Sequence, residues 1–357
     1  MPGRTNTPQI DGCIQIIKET MMQKIIRWFL SPGGITITIF IICLILVTIH
    51  KGPYIFINTL ITGGMWALMA VGVSLIFGVM NIANFAHGEF FMIGSLVAYF
   101  LMQPMMKYLQ YHPNSFLIYI GPFLIVISGA VTGALLGVLV ERVVFKQLRL
   151  RNRYNWLLNC FLVTIGLSIF LQNSHQLLFS ANYKGITSYW SGTVKILDVI
   201  ISIDRTVAFL MALVTMTALF LFMKYSKPGK AIRAVSQDEA GAKMVGVSVD
   251  NIQMLTFALS CGLAALAGAS LLFMFPSYPT VGVVPLFNSY FIVILVGFGN
   301  VAGAIPGGFI IAFFNVLTRT YLGEGWELVL PVLLICLVLI VKPSGLFGAK
   351  VKTMLEI

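Results

Sequence analysis

Long apolar runs, separated by short polar connections, occupy most of the 357-residue chain. A helix needs roughly 20 apolar residues to cross a hydrocarbon layer of about 30 Å, and within lipid its backbone must satisfy its own hydrogen bonds. A membrane β-barrel would show short alternating segments instead. The pattern therefore predicts an all-α integral membrane protein, a polytopic bundle of about 8–10 transmembrane helices. The ten runs are 33–50, 55–80, 82–103, 117–140, 156–179, 204–225, 250–275, 285–299, 303–320 and 328–341.

The three C-terminal runs are short and leave an alternative open. The stretch 286–299 is too short to cross the membrane comfortably, and the connection 299–303 (GNVAG) joins it directly to the next run. A re-entrant hairpin formed by these two runs is the alternative to two full crossings.

The N-terminal region requires a decision between two interpretations. Lys24 and Arg27 precede the apolar stretch 35–49, which is also the order found in a secretory signal peptide. No small-x-small cleavage site follows the stretch, so we predict a retained, additional transmembrane segment at 33–53. Residues 1–32 then form a short cytoplasmic tail, and residues 349–357 form a second tail at the C-terminus.

Composition and charge agree with a membrane protein and assign its orientation. The chain is 58% hydrophobic and only 10% charged, against about 25% charged residues in soluble domains. Basic loops stay in the cytoplasm, and ten crossings place 17 of the 23 Lys and Arg residues on the side of both termini. Both termini are therefore predicted to be cytoplasmic, and the net charge of +11 indicates contact with anionic lipid and no nucleic-acid partner. The six basic residues on the other side are Lys51, Lys107, Lys184, Lys195, Arg205 and Arg319.

Motifs of nucleotide binding and catalysis are missing from the sequence. There is no G-x-x-x-x-G-K-[ST] loop, no G-x-S-x-G and no H-E-x-x-H. The five cysteines stand singly, and neither they nor the four scattered histidines have metal-ligand spacing. We therefore predict no catalytic residue, no metal site and no cofactor bound by this chain.

A polar stretch at 227–247 lies between two apolar runs and predicts a short helix. Ser236 is placed to cap it, Glu239 completes a capping box three residues later, and Gly246 is placed to end it. Small residues at 240–242 give this helix a narrow face that a groove in a partner protein can hold. A solvated loop helix without a partner is the alternative interpretation.

Polar residues also interrupt the chain between the second and third apolar runs. Asn81, Asn84, His87 and Glu89 lie where an ionisable group is costly, which indicates a translocation path or a close partner. Turn chemistry alone also explains Asn and Gly at a helix break, so capping of the two adjoining helices remains the alternative. Gly88 allows another backbone to approach closely.

Small residues at helical spacing predict close helix packing. Gly129, Gly133 and Gly137 form a G-x-x-x-G-x-x-x-G stripe, and Gly262 and Gly268 belong to a second small surface. Gln172 and Asn173 are predicted to form hydrogen bonds between helices. Glu141 and Arg142 are interpreted as an interfacial ion pair.

Five motifs in order give the chain a family resemblance. It resembles permeases of the branched-chain amino acid ATP-binding cassette (ABC) importers from about Tyr54 to Gly348. The matching pieces are 80–89 (MNIANFAHGE), 141–143 (ERV), 168–173 (SIFLQN), 297–308 (GFGNVAGAIPGG) and 342–348 (KPSGLFG), together with the polar stretch after 226. The first fifty residues fall outside the resemblance, so the importer permease domain is placed at 54–348.

The resemblance implies a division of labour between subunits. It implies a second permease subunit, two cytoplasmic ATPase subunits that hold ATP and Mg²⁺, an extracytoplasmic solute-binding protein, and a bacterial inner membrane location. It also implies a cytoplasmic coupling loop at 226–248 that docks on an ATPase. The residues it assigns to that contact are Gln237, Asp238, Glu239, Ala240, Gly241, Ala242, Lys243, Met244, Val245 and Gly246.

Three classes of function are weighed against each other. A transport subunit without enzymatic activity fits the missing ATP motif and the coupling-like loop. A secondary transporter or channel would need a carboxylate buried in a span, and only Glu89 qualifies. A membrane enzyme would need clustered His, Asp or Glu residues. The resemblance implies an amino acid solute, branched-chain or other, while urea or a short amide remains the alternative within the same family.

Overall fold

A computed structural model describes residues 32–112, 115–151, 156–196 and 198–347. The tails predicted at 1–32 and 349–357 lie outside these ranges, apart from Pro32. The helices are α1 (Pro32–Lys51), α2 (Pro53–Met80), α3 (His87–Tyr111), α4 (Leu117–Val140), α5 (Lys146–Arg151), α6 (Trp156–Phe179), α7 (Ile203–Tyr225), α8 (Lys227–Gln237), α9 (Glu239–Met244), α10 (Val249–Ser270), α11 (Val283–Val296), α12 (Val301–Leu322) and α13 (Val329–Val341).

The all-α polytopic prediction is confirmed. Among the described residues, eight segments are long and apolar enough to cross a membrane, and the apolar helices α6 and α11 occupy two further predicted runs. The ten runs therefore correspond to α1, α2, α3, α4, α6, α7, α10, α11, α12 and α13. The sequence did not predict the short antiparallel hairpin of β1 (Thr193–Ile196) and β2 (Val199–Ser202), in which Thr193 pairs with Ser202.

Helices α11 and α12, the two arms of the re-entrant hairpin that the sequence leaves open, differ in length. Helix α11 has 14 residues, which corresponds to about 21 Å at 1.5 Å per residue, so it is shorter than the hydrocarbon layer. Helix α12 has 22 residues, about 33 Å, and is long enough to cross. The second arm is therefore a full-length helix, joined to a first arm that is mostly buried inside the bundle.

Helix α2 forms the centre of the bundle, and 20 of its 28 residues are buried. It packs against α12, α10, α11 and α7. Small residues make the α2–α12 seam possible, because a Cβ added at Gly308 would lie 2.6 Å from the Cβ of Ala67. Close packing of this kind is the main force between helices in lipid, where the solvent is as apolar as the side chains.

The predicted packing glycines lie at two seams around α10. Gly129 faces Ala269, and Gly137 faces Cys261, so the glycine stripe of α4 lies directly on α10. On the other side of α10, Gly268 lies against the backbone of Phe91 in α3. The remaining two glycines, Gly133 and Gly262, lie at the same α4–α10 seam, against Cys261 and Ala134 respectively.

Helix α1 packs on the outside of the bundle and runs parallel to α12. Phe40 meets Phe313 edge to face at 5.5 Å between ring centroids, and the Lys51 ammonium lies 5.0 Å from the centroid of the Tyr321 ring. Because contacts follow the same order along both helices, the start of α1 lies toward the end of the bundle where α12 begins. Only 11% of the residues in Gly34–Lys51 are buried, so most of the surface of α1 is left for lipid.

Candidate functional site

Helices α8 and α9 project from the end of the bundle where α2 and α7 finish. Ser226 begins α8, because its Oγ accepts a hydrogen bond of 2.9 Å from the backbone N–H of Gly229. The face of α8 formed by Gly229, Ile232 and Val235 is buried against the bundle. Gly229 lies so close to the backbone of Met223, at the end of α7, that a Cβ would be 2.6 Å from the Met223 Cα. This contact fixes the angle between α7 and α8.

The predicted capping box at Ser236 is wrong. Ser236 lies in the last turn of α8, where its hydroxyl donates to the carbonyl of Arg233 at 2.9 Å. Helix α9 begins at Glu239, and its N-cap residue, Asp238, forms no side-chain capping bond. The capping Ser with a following proline occurs earlier in the chain, at Ser226 and Pro228, and this stronger start signal sets the register of α8.

Gly246 ends α9, as predicted. Its φ of +84° is the left-handed conformation that favours glycine. The N–H of Gly246 donates to the Lys243 carbonyl at 3.1 Å, and the N–H of Val247 donates to the Ala242 carbonyl at 3.0 Å. These two bonds form a Schellman motif, which satisfies carbonyls at the helix end and stops the helix.

The tip of α9, defined as Met244 and Val245, carries two exposed apolar side chains. Met244 is 88% exposed and Val245 is 79% exposed. Ala242 is buried and anchors the helix on its inner side, while Lys243 and Glu239 form an ion pair at 2.8 Å on the outer side. Two adjacent apolar side chains held on a rigid turn present a surface suited to a hydrophobic groove.

Turn chemistry accounts for two of the four polar residues at the break between α2 and α3. Asn81 adopts the left-handed conformation, with φ of 52°, and caps α2 through its N–H bond to Phe77. Asn84 is buried, and its Oδ1 accepts a bond of 3.1 Å from the N–H of Ala86. These are the local bonds by which Asn favours turns, so the capping interpretation explains both residues.

His87 and Glu89, in the first turn of α3, are buried in the bundle. The His87 ring lies against Gly72 of α2. Glu89 is 1% exposed, and its Oε1 accepts bonds from Ser168 Oγ at 2.9 Å and from Gln172 Nε2 at 2.8 Å. The other oxygen of Glu89, Oε2, has no hydrogen-bond partner within the described part of the chain. A buried carboxylate held only by neutral donors is costly, and such groups in membrane segments are retained mainly for function.

The predicted interhelical bonds of α6 are confirmed in one case and wrong in the other. Gln172 links α6 to Glu89 of α3. Asn173 instead donates to the carbonyl of Ile169 within its own helix, at 2.7 Å. The two residues are adjacent, so they point to different sides of α6 and only one of them faces the bundle.

Gly88 permits the closest approach between two backbones at this break. A Cβ added at Gly88 would lie 2.5 Å from the carbonyl oxygen of Gly282, the residue that precedes α11. The start of α3 and the start of α11 therefore touch, and the predicted close approach at Gly88 is observed.

Glu141 forms its ion pair with Arg149, and the predicted pair with Arg142 is wrong. Glu141 is 1% exposed and accepts from Arg149 Nη2, while Arg142 Nε donates to Met254 Sδ at 3.2 Å. A π-helical turn, Glu141–Phe145, precedes α5 and supplies the reason. Two α-helical turns align residues about seven apart, and the wider turn adds one residue, which brings position 149 onto the same side as position 141.

A cavity of about 920 Å³ lies beside α9 and connects it with the break after α2. Its lining includes Met80 at the end of α2, Arg149 near the end of α5, and Glu239 and Lys243 of α9. Sequence reasoning missed Arg149 as a member of this region, and its only sequence signal was the charge-rich connection that follows α4. Within the described ranges, no group of three or more His, Cys, Asp or Glu residues is arranged to hold a metal ion.

Comparison with known proteins identifies the family of the chain. The family model described as "Branched-chain amino acid transport system / permease component" matches residues 55–340. The chain belongs to the branched-chain amino acid permease family of ABC transporters. No solved structure matches the chain significantly.

Curated relatives of this permease align with it over most of their length. The high-affinity branched-chain amino acid transport system permease protein LivH of Salmonella typhimurium is 30% identical over 297 residues, 82% of this chain and 94% of the relative. LivH of Escherichia coli K12 is 29% identical over the same length. The permease protein BraD of Pseudomonas aeruginosa is 30% identical over 299 residues. The family match includes the break after α2 and the α8–α9 segment, and it begins after α1.

Proposed function

We propose that this permease is the path-forming subunit of an ABC importer for branched-chain or similar apolar amino acids in a bacterial inner membrane. In this proposal the chain binds no nucleotide, and ATP and Mg²⁺ are held by two separate ATPase subunits. A second permease subunit and an extracytoplasmic solute-binding protein complete the assembly. Family membership supports the transport role, and the relatives whose printed names specify branched-chain amino acids support the solute class.

The exposed tip of α9 carries the proposal for the ATPase contact. Met244 and Val245 are adjacent, apolar and almost fully exposed on a segment rich in polar residues, which supports an interaction site there. The proposed contact includes the whole segment Gln237–Gly246, with the tip inserted in an ATPase groove. The basic residues around this segment favour a cytoplasmic location, so both chain termini are placed in the cytoplasm as well.

The buried face of α8 gives the contact a mechanical consequence. Helix α8 packs against α7, α10 and α2, and its Gly229 touches the backbone at the end of α7. Because packed interfaces transmit displacement with little compression, a movement of the ATPase groove would shift α8 together with the ends of these three helices. The central helix α2 ends at the break that contains Asn81 and leads to Glu89.

Among the residues predicted at the translocation path, Glu89 has the strongest support. Asn81 and Asn84 are explained by turn geometry, and His87 is enclosed against α2. Glu89 is the one carboxylate among the four, and its Oε2 lacks a partner among the described residues, as do Asn84 Nδ2 and both ring nitrogens of His87. We infer that Glu89 lies next to the path, where α3 meets α6.

Substitution of the α9 tip tests the proposed ATPase contact. Replacing Met244 and Val245 together by Asp should abolish copurification of the ATPase subunits and lower leucine uptake at least tenfold, because hot-spot side chains carry most of the binding energy. Ser236→Asp, on the exposed side of α8, is the matched control and should retain both properties. Full ATPase binding and uptake by the double variant would refute the contact.

The solute requires a separate measurement in the complete transporter. Membrane vesicles that contain all subunits should accumulate leucine when ATP and the binding protein are supplied. Accumulation of urea or acetamide without leucine would instead support the alternative function, a permease for urea or short amides. Leucine accumulation by this chain alone, without nucleotide, would contradict the division of labour between subunits.

A further inference from the structure

A cavity of about 190 Å³ opens at the end of the bundle opposite α9. It lies between the start of α2, the start of α7 and the end of α12. Its lining includes Tyr54, Asn58, Ile61, Met65, Arg205 and Arg319. A neighbouring cavity of about 230 Å³ shares Tyr54, Asn58 and Arg205 with it, so Arg205 lies where the two meet.

The two arginines of this cavity differ in their partners. Arg319 pairs with Glu327, with 2.5 Å between its Nη2 and Oε2 of the carboxylate. Arg205 forms no ion pair with any described residue, and its Nη1 donates to Asn58 Oδ1 at 3.3 Å. The neighbouring carboxylate of Asp204 is directed elsewhere, because its Oδ1 accepts from the backbone N–H groups of Tyr189 and Trp190. The half-buried guanidinium of Arg205 is therefore available to an anion.

Apolar side chains form the inner wall of the cavity. Ile61 and Met65 of α2 face Val316 of α12 across it, and Met274 closes one side. The volume is sufficient for a small solute, since a cavity of about 150 Å³ with apolar walls already accommodates benzene. The cavity therefore combines one available cation with an apolar inner wall.

A second, smaller cavity adjoins the first on its inner side. This smaller cavity of about 20 Å³ shares Met65, Met274 and Val316 with the first, which is room for about one water. Trp66 and Asn315 line it, each 5% exposed, and Trp66 Nε1 and Asn315 Oδ1 have no partner among the described residues. Native proteins rarely leave such atoms unsatisfied. A donor and an acceptor are thus present directly beneath the apolar wall.

We propose that this cavity is a recognition site for a zwitterionic α-amino acid with an apolar side chain. The solute carboxylate binds Arg205, its ammonium group binds the second lone pair of Asn58 Oδ1, and its side chain lies on Ile61 and Met65. The unpaired atoms of Trp66 and Asn315 bind a water beneath the solute. The inference rests on the proposed amino acid transport, and it assigns the selection of charged over uncharged solutes to the permease.

The arrangement distinguishes amino acids from the alternative solutes. A carboxylate gains a charge-assisted bidentate contact from a guanidinium, whereas urea and acetamide carry no charge and gain only ordinary hydrogen bonds. Replacing the charge at position 205 should therefore weaken amino acid binding and leave binding of a neutral amide unchanged.

Protection of a cysteine at the rim provides the test. Thr320 lines the cavity, is exposed, and uses its hydroxyl only for a bond of 2.7 Å to Val316 in its own helix, so Thr320→Cys should fold normally. The complete transporter in membrane vesicles is treated with a charged thiol reagent, with or without leucine. We expect leucine to slow modification at least threefold and acetamide to have no effect.

Variants at position 205 in the Thr320→Cys background complete the design. Arg205→Gln should raise the leucine concentration needed for protection about tenfold or more. Arg205→Lys should restore part of the protection. Lys195→Gln, an exposed basic residue of β1 that does not line the cavity, should behave as the parent. The amount of assembled transporter, measured by gel filtration, identifies variants that fail to fold.

The outcomes separate this inference from the proposed function. Absent protection, equal protection by acetamide, or unchanged protection in Arg205→Gln would each overturn the recognition site. Leucine accumulation by the unsubstituted transporter in the same vesicles is measured independently. If accumulation is normal while protection fails, the site is refuted and the amino acid importer stands. If accumulation fails, the proposed function is refuted irrespective of the cavity.

Discussion

Gly268 lies at the closest point of the seam between α10 and α3, and Gly268→Ala should destabilise the bundle strongly. A Cβ at this position would lie 2.7 Å from the carbonyl carbon of Phe91, and the carbonyl oxygen is nearer still. Both atoms belong to the backbone of α3, so no side-chain rotation can relieve the contact. The two helices must separate, although alanine has the higher intrinsic helix propensity.

The size of the effect follows from the required separation. Ordinary contact begins at 3.4 Å, so α3 and α10 must separate by at least about 0.7 Å at this point. A gap of 0.5–1 Å forfeits about a quarter to a half of the dispersion energy of each contact across the seam. Overpacking of a core costs about 1–3 kcal/mol, and the upper end applies here because the obstacle is backbone. The gain in helix propensity, up to about 1 kcal/mol, leaves a net loss of about 2 kcal/mol.

Thermal inactivation in detergent measures this difference. The fraction of protein that remains monodisperse after heating gives an apparent midpoint, which should fall by roughly 4–8 °C in Gly268→Ala at about 2–4 °C per kcal/mol. Gly166→Ala in α6 is the matched control, because no atom lies within 4 Å of a Cβ added there. It should leave the midpoint unchanged or raise it. Equal midpoints for the two variants would refute the argument that the seam is limited by backbone contact.

Three further predictions concern individual polar side chains. Arg149→Gln should destabilise the protein by about 3–5 kcal/mol, because it leaves the buried Glu141 carboxylate without its counter-charge, whereas Arg142→Gln should have little effect in the same thermal assay. Glu89→Gln keeps an acceptor for its two donors, so the amount of assembled protein should be unchanged while leucine uptake falls about tenfold; normal uptake would remove Glu89 from the path. Asn300→Ala removes the N-cap of α12 and should cost about 1–2 kcal/mol, measured as a lower midpoint; an unchanged midpoint would contradict the capping role.

The positions of the spanning helices could be predicted because membrane thickness sets a long, continuous signal. The predicted start of the run at 82–103 is wrong, since the residues before His87 are apolar enough to extend the helix but form a turn instead. Asn81 and Asn84 supplied the signal for that turn, and their local bonds outweigh the apolar character of Ile82 and Ala83. Helix boundaries near polar residues therefore depend on side-chain bonds that hydropathy does not include.

Contacts between helices were harder to infer, because neighbours in sequence are often not neighbours in space. Adjacent residues on a helix point in different directions, so Arg142 was a poor candidate partner for Glu141, and the π-helical turn that favours Arg149 has no sequence signature. The cavity at Arg205 was missed for a related reason. Its contact with Asn58 joins residues 147 positions apart, and each is unremarkable in its own segment.

The parallel course of α1 and α12 affects how fusion proteins of this permease would behave. The family model matches from residue 55, near the start of α2, and this chain enters α2 from a helix that runs along the length of the bundle. A fluorescent reporter or affinity label inserted ahead of Pro32 would consequently occupy the compartment of the α9 tip. The same label inserted at Gly52 would occupy the opposite compartment, so a pair of such insertions provides an internal calibration of sidedness.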